Sequence, residues 1–172
     1  MNKIASKEPA PASGSACGAV VAAASALLEK AARLSGKQWT GAGEALERAH
    51  TLRVESFGLI EEDAQAYLAF VEAVRSQKDV ETAHARTVDV PLRMIRAASE
   101  VAELAVQLAN HGNPNLRADA VVAAILASAA AESGLTLISV NLRDADDARL
   151  AVAKKLALRA SGLALSLRPR DS

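Results

Sequence analysis

The stretch Gly112-Asn113-Pro114-Asn115-Leu116-Arg117-Ala118-Asp119-Ala120-Val121-Val122-Ala123-Ala124, running on to Asn141-Leu142-Arg143-Asp144, decides the architecture. Amides and a proline form an obvious turn over His111–Asn115. A helix then reads from about Leu116 to Val140, apolar nearly all round at Val121, Val122, Ile125, Leu126, Leu135 and Leu137. A helix without a polar face belongs in the centre of a bundle, so this segment is expected to be central and buried.

The rest of the chain has the same period. Residues 1–13 read as a flexible lead-in, because Pro9 and Pro11 favour extended backbone. A first helix is expected from Ser15 to about Leu34, with Gly14, Gly18, Ala22 and Ala26 on one small-residue stripe that lets another helix come close. A second runs from about Glu44 to Arg75 after Gly41-Ala42-Gly43. Asp79 is the expected N-cap of a third, which should kink or break between Val88 and Leu92 at Pro91 and resume through Leu108. Asp144 or Asp146 is expected to cap a fifth, ending near Leu167, with 168–172 a frayed tail. No alternating strand pattern interrupts this. The reading is all-α: one domain over 14–167, an antiparallel bundle of about five long helices kinked near Pro91.

Composition narrows the function. The chain has 172 residues, 51% of them hydrophobic but only 2% aromatic, so Ala, Val and Leu must build the core. Such a core gains little area per residue, and subunit association would compensate. A formal net charge of zero gives no electrostatic reason to bind nucleic acid or an anionic membrane. Pro9 to Leu28 is uncharged and follows Lys3 and Lys7, imitating a signal peptide, but it is alanine-rich and broken by Pro9, Pro11 and Gly14. It reads as a buried helix, not a membrane span. Cys17 is the sole cysteine, which excludes an internal disulfide and fits a reducing cytoplasm. It lies in the alanine-rich helix without a local base and reads as a small buried hydrophobe. His50, His84 and His111 are scattered, and no metal-ligand spacing appears.

Five segments, in order, resemble the cyclodeaminase/cyclohydrolase family. They are Pro9-Ala10-Pro11-Ala12-Ser13-Gly14-Ser15, Asp63-Ala64-Gln65-Ala66-Tyr67, Val90-Pro91-Leu92, Gly112 to Ala124, and Asn141-Leu142-Arg143-Asp144. Together they span nearly the whole chain. The resemblance implies an all-helical homodimer acting on a one-carbon tetrahydrofolate, with no permanently bound cofactor. Four positions depart from the family pattern. Ala12 and Ser13 stand where it has glycine, Ala118 where it has serine, and Leu137 where it has asparagine. Added Cβ atoms could obstruct a ligand that must approach the backbone closely. The lost polar groups point to an altered ligand or a member that binds without turnover.

Two reactions fit the resemblance: hydrolysis of 5,10-methenyltetrahydrofolate to 10-formyltetrahydrofolate, and cyclisation of the formimino derivative with release of ammonia. A stand-alone chain of this length favours the first. The rivals are a non-catalytic pterin-binding protein and a purely structural helical dimer. Both reactions pass through a tetrahedral carbon and need proton transfers, which suits a positioned carboxylate. Asp63 and Asp119 are the candidates for that role. Asp63 could equally be one more exposed acid of the Glu61-Glu62-Asp63 run, and Asp119 a dipole partner of its helix N-terminus. Gly14 and Ser15 are candidates for binding an anion at a helix start, though Ser15 could simply cap it. Tyr67 could stack on a pterin, as could Trp39. Asn113 could fix its amide groups. Asn141, Arg143 and Asp144 are the remaining binding candidates, with Arg143 suited to a glutamate carboxylate; Asn141 and Asp144 could equally serve only the turn.

Overall fold

The computed structural model describes residues 2–142 and 146–168. It contains five α-helices: α1 (Ser13–Arg33), α2 (Ala42–Ser76), α3 (Val80–His111), α4 (Arg117–Asn141) and α5 (Ala148–Ser166). A 3₁₀ turn, Pro114–Leu116, leads into α4. Consecutive helices pack against each other, α4 also closes against α1, and α5 lies on α3 and α4. Cross-helix pairs fix the directions. Arg53–Glu29 with Ser15–Asp63 makes α2 antiparallel to α1, and Arg48–Glu100 with Arg93–Glu62 makes α3 antiparallel to α2. Lys30 with Asp119 joins α1 to α4, and Arg159–Glu103 with Arg149–Asp89 sets α5 parallel to α3. The all-α bundle expected from the sequence is therefore present.

The central helix is α3, not α4. Fifteen residues of α3 are buried against eight of α4. Charges on α3 at Arg93, Arg96 and Glu100 lie on one edge, leaving Val88, Met94, Ile95 and Val101 at 0% exposure. In α4 the buried side is mostly alanine, while Val122, Ile125 and Val140 are exposed. Periodicity cannot tell an all-apolar helix that is enclosed from one that is half-covered. By length and composition alone α1 and the 114–141 segment could cross a membrane; here both are packed into the bundle.

Pro91 does not break α3, which is continuous from Val80 to His111. A proline in a helix interior costs about 3 kcal/mol. Each large apolar side chain buried nearby returns roughly 1.5–3 kcal/mol, so Val88, Ile95 and Met94 outweigh it. Two expected caps also differ. Asp79 has a left-handed backbone and makes no side-chain cap bond. The cap of α5 is Asp147, whose carboxylate accepts from the Arg149 N–H at 2.8 Å. Asp144 lies outside the described residues.

The small-residue stripe on α1 sets the approach of α2. A Cβ on Gly18 would lie 3.1 Å from the Ile60 side chain and 3.3 Å from the Ser56 carbonyl. Ala22 is buried as well, whereas Ala26 is exposed. On the opposite side, Gly134 lets α4 meet α3, since a Cβ there would lie 2.7 Å from Ile95.

Candidate active site

The N-terminus of α1 lacks a cap of its own. Its N-cap residue is Ala12, which has no side-chain acceptor, and the first turn carries no acid. Asp63, projecting from α2, takes that role. Its carboxylate accepts from the Ser15 hydroxyl at 3.1 Å and from the Ser15 backbone N–H. The Ser15 hydroxyl also lies 2.9 Å from the Ile60 carbonyl. A hydroxyl has one proton, so these two acceptors share it. Ser15 therefore does not cap its own helix. It anchors a carboxylate brought in from 48 residues away in sequence.

Gly14 makes this approach possible. A Cβ at this position would lie 2.0 Å from Asp63 Oδ1. Of the three opening positions discussed above, the retained glycine is thus the one where a side chain cannot fit. Ala12 and Ser13 are exposed and line the cavity instead.

That cavity holds about 290 Å³ and is open to solvent. Asp63, Gly14, Tyr67, Thr87, Pro91, Leu137 and Asn141 line it, with Pro9, Ala10, Ala12 and Ser13 of the lead-in as one wall. A second hollow of about 260 Å³, lined by Phe70 and His84, shares Tyr67, Thr87, Val140 and Asn141 with it. Burial pushes the Asp63 carboxyl above its usual range, against the opposing pull of the Ser15 hydroxyl and N–H. Cys17, two residues beyond Ser15 in α1, is also pushed up by burial and by the Asp63 charge. It remains a thiol packed among apolar neighbours, as its surroundings in the sequence implied.

Gly14, Ser15, Asp63, Tyr67 and Asn141 thus come together, and Asp119 and Asn113 do not join them. Asp119 pairs with Lys30 at 3.6 Å, close to the far end of α1. Ser15 and Lys30 are fifteen residues apart on one helix, a separation of about 22 Å. Asn113 sits at that same far end. Its N–H donates to Ser35 Oγ at 2.8 Å and its amide to the Leu34 carbonyl at 3.2 Å, while its Oδ1 caps the 3₁₀ turn. Trp39 is there too, against His111. Arg143 and Asp144 lie outside the described residues.

Sequence reasoning missed His84, Thr87 and Phe70. Thr87 had a signal: it stands four residues before Pro91, whose missing N–H leaves the Thr87 carbonyl open. His84 and Phe70 had none. Their rings meet at 5.5 Å, a contact between helices that no local pattern records.

A site of this kind can hold an electrophilic cation against a carboxylate and move a proton at it. Residues 1–160 match the family model described as formiminotransferase-cyclodeaminase. A methenyltetrahydrofolate cyclohydrolase of Methylorubrum extorquens is 32% identical over 165 residues, covering 86% of this chain and 79% of the relative. The crystal structure of a formiminotetrahydrofolate cyclodeaminase from Thermotoga maritima has the same fold, with a TM-score of 0.88 over 95% of this chain and 89% of that one at 24% identity. The match over residues 1–160 and the 32% identical relative lead to one conclusion: the chain belongs to the formiminotransferase-cyclodeaminase family.

Proposed function

We propose that this protein hydrolyses 5,10-methenyltetrahydrofolate to 10-formyltetrahydrofolate, with Asp63 as the group that carries the chemistry. The observation behind this reading is the half-buried Asp63 carboxylate, fixed by Ser15 at the floor of an open cavity and with its pKa raised by burial. Family membership supplies the substrate class, and the Methylorubrum relative favours hydrolysis over cyclodeamination.

The methenyl bridge is a cation shared between N5 and N10. A carboxylate beside it favours its binding. Water adds to the bridge carbon and gives a proton to Asp63, forming a neutral tetrahedral carbon. Asp63 returns that proton to N5, the bond between N5 and the carbon breaks, and the hydroxyl on the carbon gives up its remaining proton to leave the formyl group on N10. The sum is the cation plus water giving the formyl product and one proton. A base is best when its pKa approaches the working pH, which is the direction in which burial moves Asp63. Tyr67, one turn beyond Asp63 and half exposed in the cavity wall, supplies a face for the pterin ring. The folate carries the one-carbon unit itself, so the reaction requires no permanently bound cofactor.

The reading includes a cytoplasmic homodimer. On α4, Val122, Ile125, Ala129, Ser133, Thr136 and Val140 form an exposed, mainly apolar stripe, bordered by exposed Glu132 and by exposed Ala23 and Ala26 of α1. A second copy of the chain covers this face and leaves Glu132 at its rim. No nucleic acid or membrane enters the proposal.

The test is loss of the methenyl absorbance on adding protein, against the spontaneous rate. Acceleration that disappears in Asp63→Asn supports the reading. No acceleration with methenyltetrahydrofolate, but ammonia release from the formimino derivative, would replace it with cyclodeamination. Binding without either would leave a folate-binding protein.

A further inference from the structure

Thr87 and Pro91 are one helical turn apart in α3. The bond that would join the Thr87 carbonyl to residue 91 needs an N–H, and proline has none. The helix continues regardless, and the carbonyl accepts from Asn141 Nδ2 of α4 at 2.8 Å. A carbonyl can only accept, so this contact orients the amide: nitrogen toward Thr87, Oδ1 away from it. A second bond holds the same residue. His84 Nε2 lies 2.7 Å from the Asn141 carbonyl, which as the last residue of α4 has no partner within its helix. The ring nitrogen must be the donor here. Asn141 is therefore tied to one turn of α3 through both side chain and backbone. It lines both hollows of the site, and no donor among the described residues bonds its Oδ1.

We infer that Pro91 is a positioning residue: by withholding an N–H from Thr87, it keeps the Asn141 amide turned so that Oδ1 is a fixed acceptor for an N–H group of the bound heterocycle. The ligand part implied is a ring amide or ring amino group, which presents a donor and no charge. This step rests on the folate reading above. It makes Pro91 a specificity device and explains why a helix-breaking residue lies in the wall of the cavity.

Pro91→Ala restores the missing N–H, so the Thr87 carbonyl turns back into its helix and the Asn141 amide is released. The expected result is a rise in KM for methenyltetrahydrofolate of about five- to tenfold, with kcat changed by no more than about twofold. Pro91→Ala combined with Asn141→Ala should be no worse than Asn141→Ala alone. Nuclear magnetic resonance supplies a readout without ligand: the Asn141 side-chain NH₂ should exchange with solvent faster in Pro91→Ala. Additive losses in the double variant, or unchanged exchange, would overturn the inference. If the wild-type chain turns over no folate, the function proposed above fails, while the exchange comparison still decides whether Pro91 sets the amide. Should Pro91→Ala not fold, Asn141→Asp, which sets a carboxylate against the Thr87 carbonyl, must raise KM in the same way; an unchanged KM there also refutes the idea.

Discussion

Replacing Gly14 by alanine puts the central contact of the site to a quantitative test. The new Cβ would lie 2.0 Å from Asp63 Oδ1, 2.5 Å from Cγ and 2.7 Å from Oδ2. Carbon and oxygen pack no closer than about 3.2 Å in ordinary contact, so the carboxylate must retreat by roughly 1 Å. That movement breaks its 3.1 Å bond to Ser15 Oγ. Overpacking costs about 1–3 kcal/mol, and losing a hydrogen bond to a charged group costs about 1.5–3 kcal/mol. The gain in helix propensity of at most about 1 kcal/mol does not offset them. A net loss of about 2–4 kcal/mol corresponds to a drop in Tm of order 10 °C for a chain of this size. A carboxylate displaced by 1 Å should cost about 100-fold in turnover. Calorimetry and the methenyl absorbance assay read the two effects separately. Gly58→Ala is the control, because nothing lies within 4 Å of its added Cβ; it should stabilise α2 by about 0.5–1 kcal/mol. Wild-type stability and turnover in Gly14→Ala would refute the proposed seat of Asp63.

Other expectations follow from the same geometry. Asp63→Asn should lower turnover by about 10²- to 10⁴-fold with the helical circular dichroism unchanged; a wild-type rate removes Asp63 from the chemistry. Asp63 releases its proton later in the folded chain than in the unfolded one. Between those two values the native state holds more protons, so its stability falls as pH rises, and Asp63→Asn should remove that slope from denaturation curves measured across the acid range. Ser15→Ala removes a bond that favours the ionised carboxylate, so the acid limb of the rate profile should move to higher pH; a limb that stays or moves down contradicts the assignment. Asp119→Asn should keep turnover within about threefold, since only its exposed Lys30 pairing is lost. A collapse of turnover would place the partner copy's Asp119 in the site. Val122→Glu with Ile125→Glu should convert a dimer to monomer in light scattering, and an unchanged mass would move the interface elsewhere.

The helices were legible because their signals are local. Pro and Gly punctuation around Gly36, Gly41 and Gly112, and the apolar period between, place each helix within a few residues of its observed ends. What is central was not legible, because it depends on which partners cover a face. The mean hydropathy of α4 pointed inward, yet α3, with charges on one edge, is the buried one. The candidate site was half legible. Asp63, Tyr67 and the Gly14-Ser15 pair could be picked out in the sequence, but their meeting comes from the antiparallel register of α1 and α2. The same register shows why Asp119 could not be placed from sequence: its motif is as prominent as that of Asp63, and it lies at the other end of the bundle. The Asp79 cap failed because a residue in the left-handed region cannot aim its side chain at the first N–H groups of the following helix.

Asp63 closes the open end of α1 and also faces the cavity, so a single carboxylate has two duties. Each time it accepts a proton, the first turn of α1 loses its charged acceptor and frays more readily. Occupancy of the cavity and order at Ser13–Ser15 are then thermodynamically linked: a cationic ligand that keeps Asp63 ionised also tightens the helix end. Hydrogen exchange at the first amides of α1 is therefore expected to slow when a cationic ligand holds Asp63 ionised.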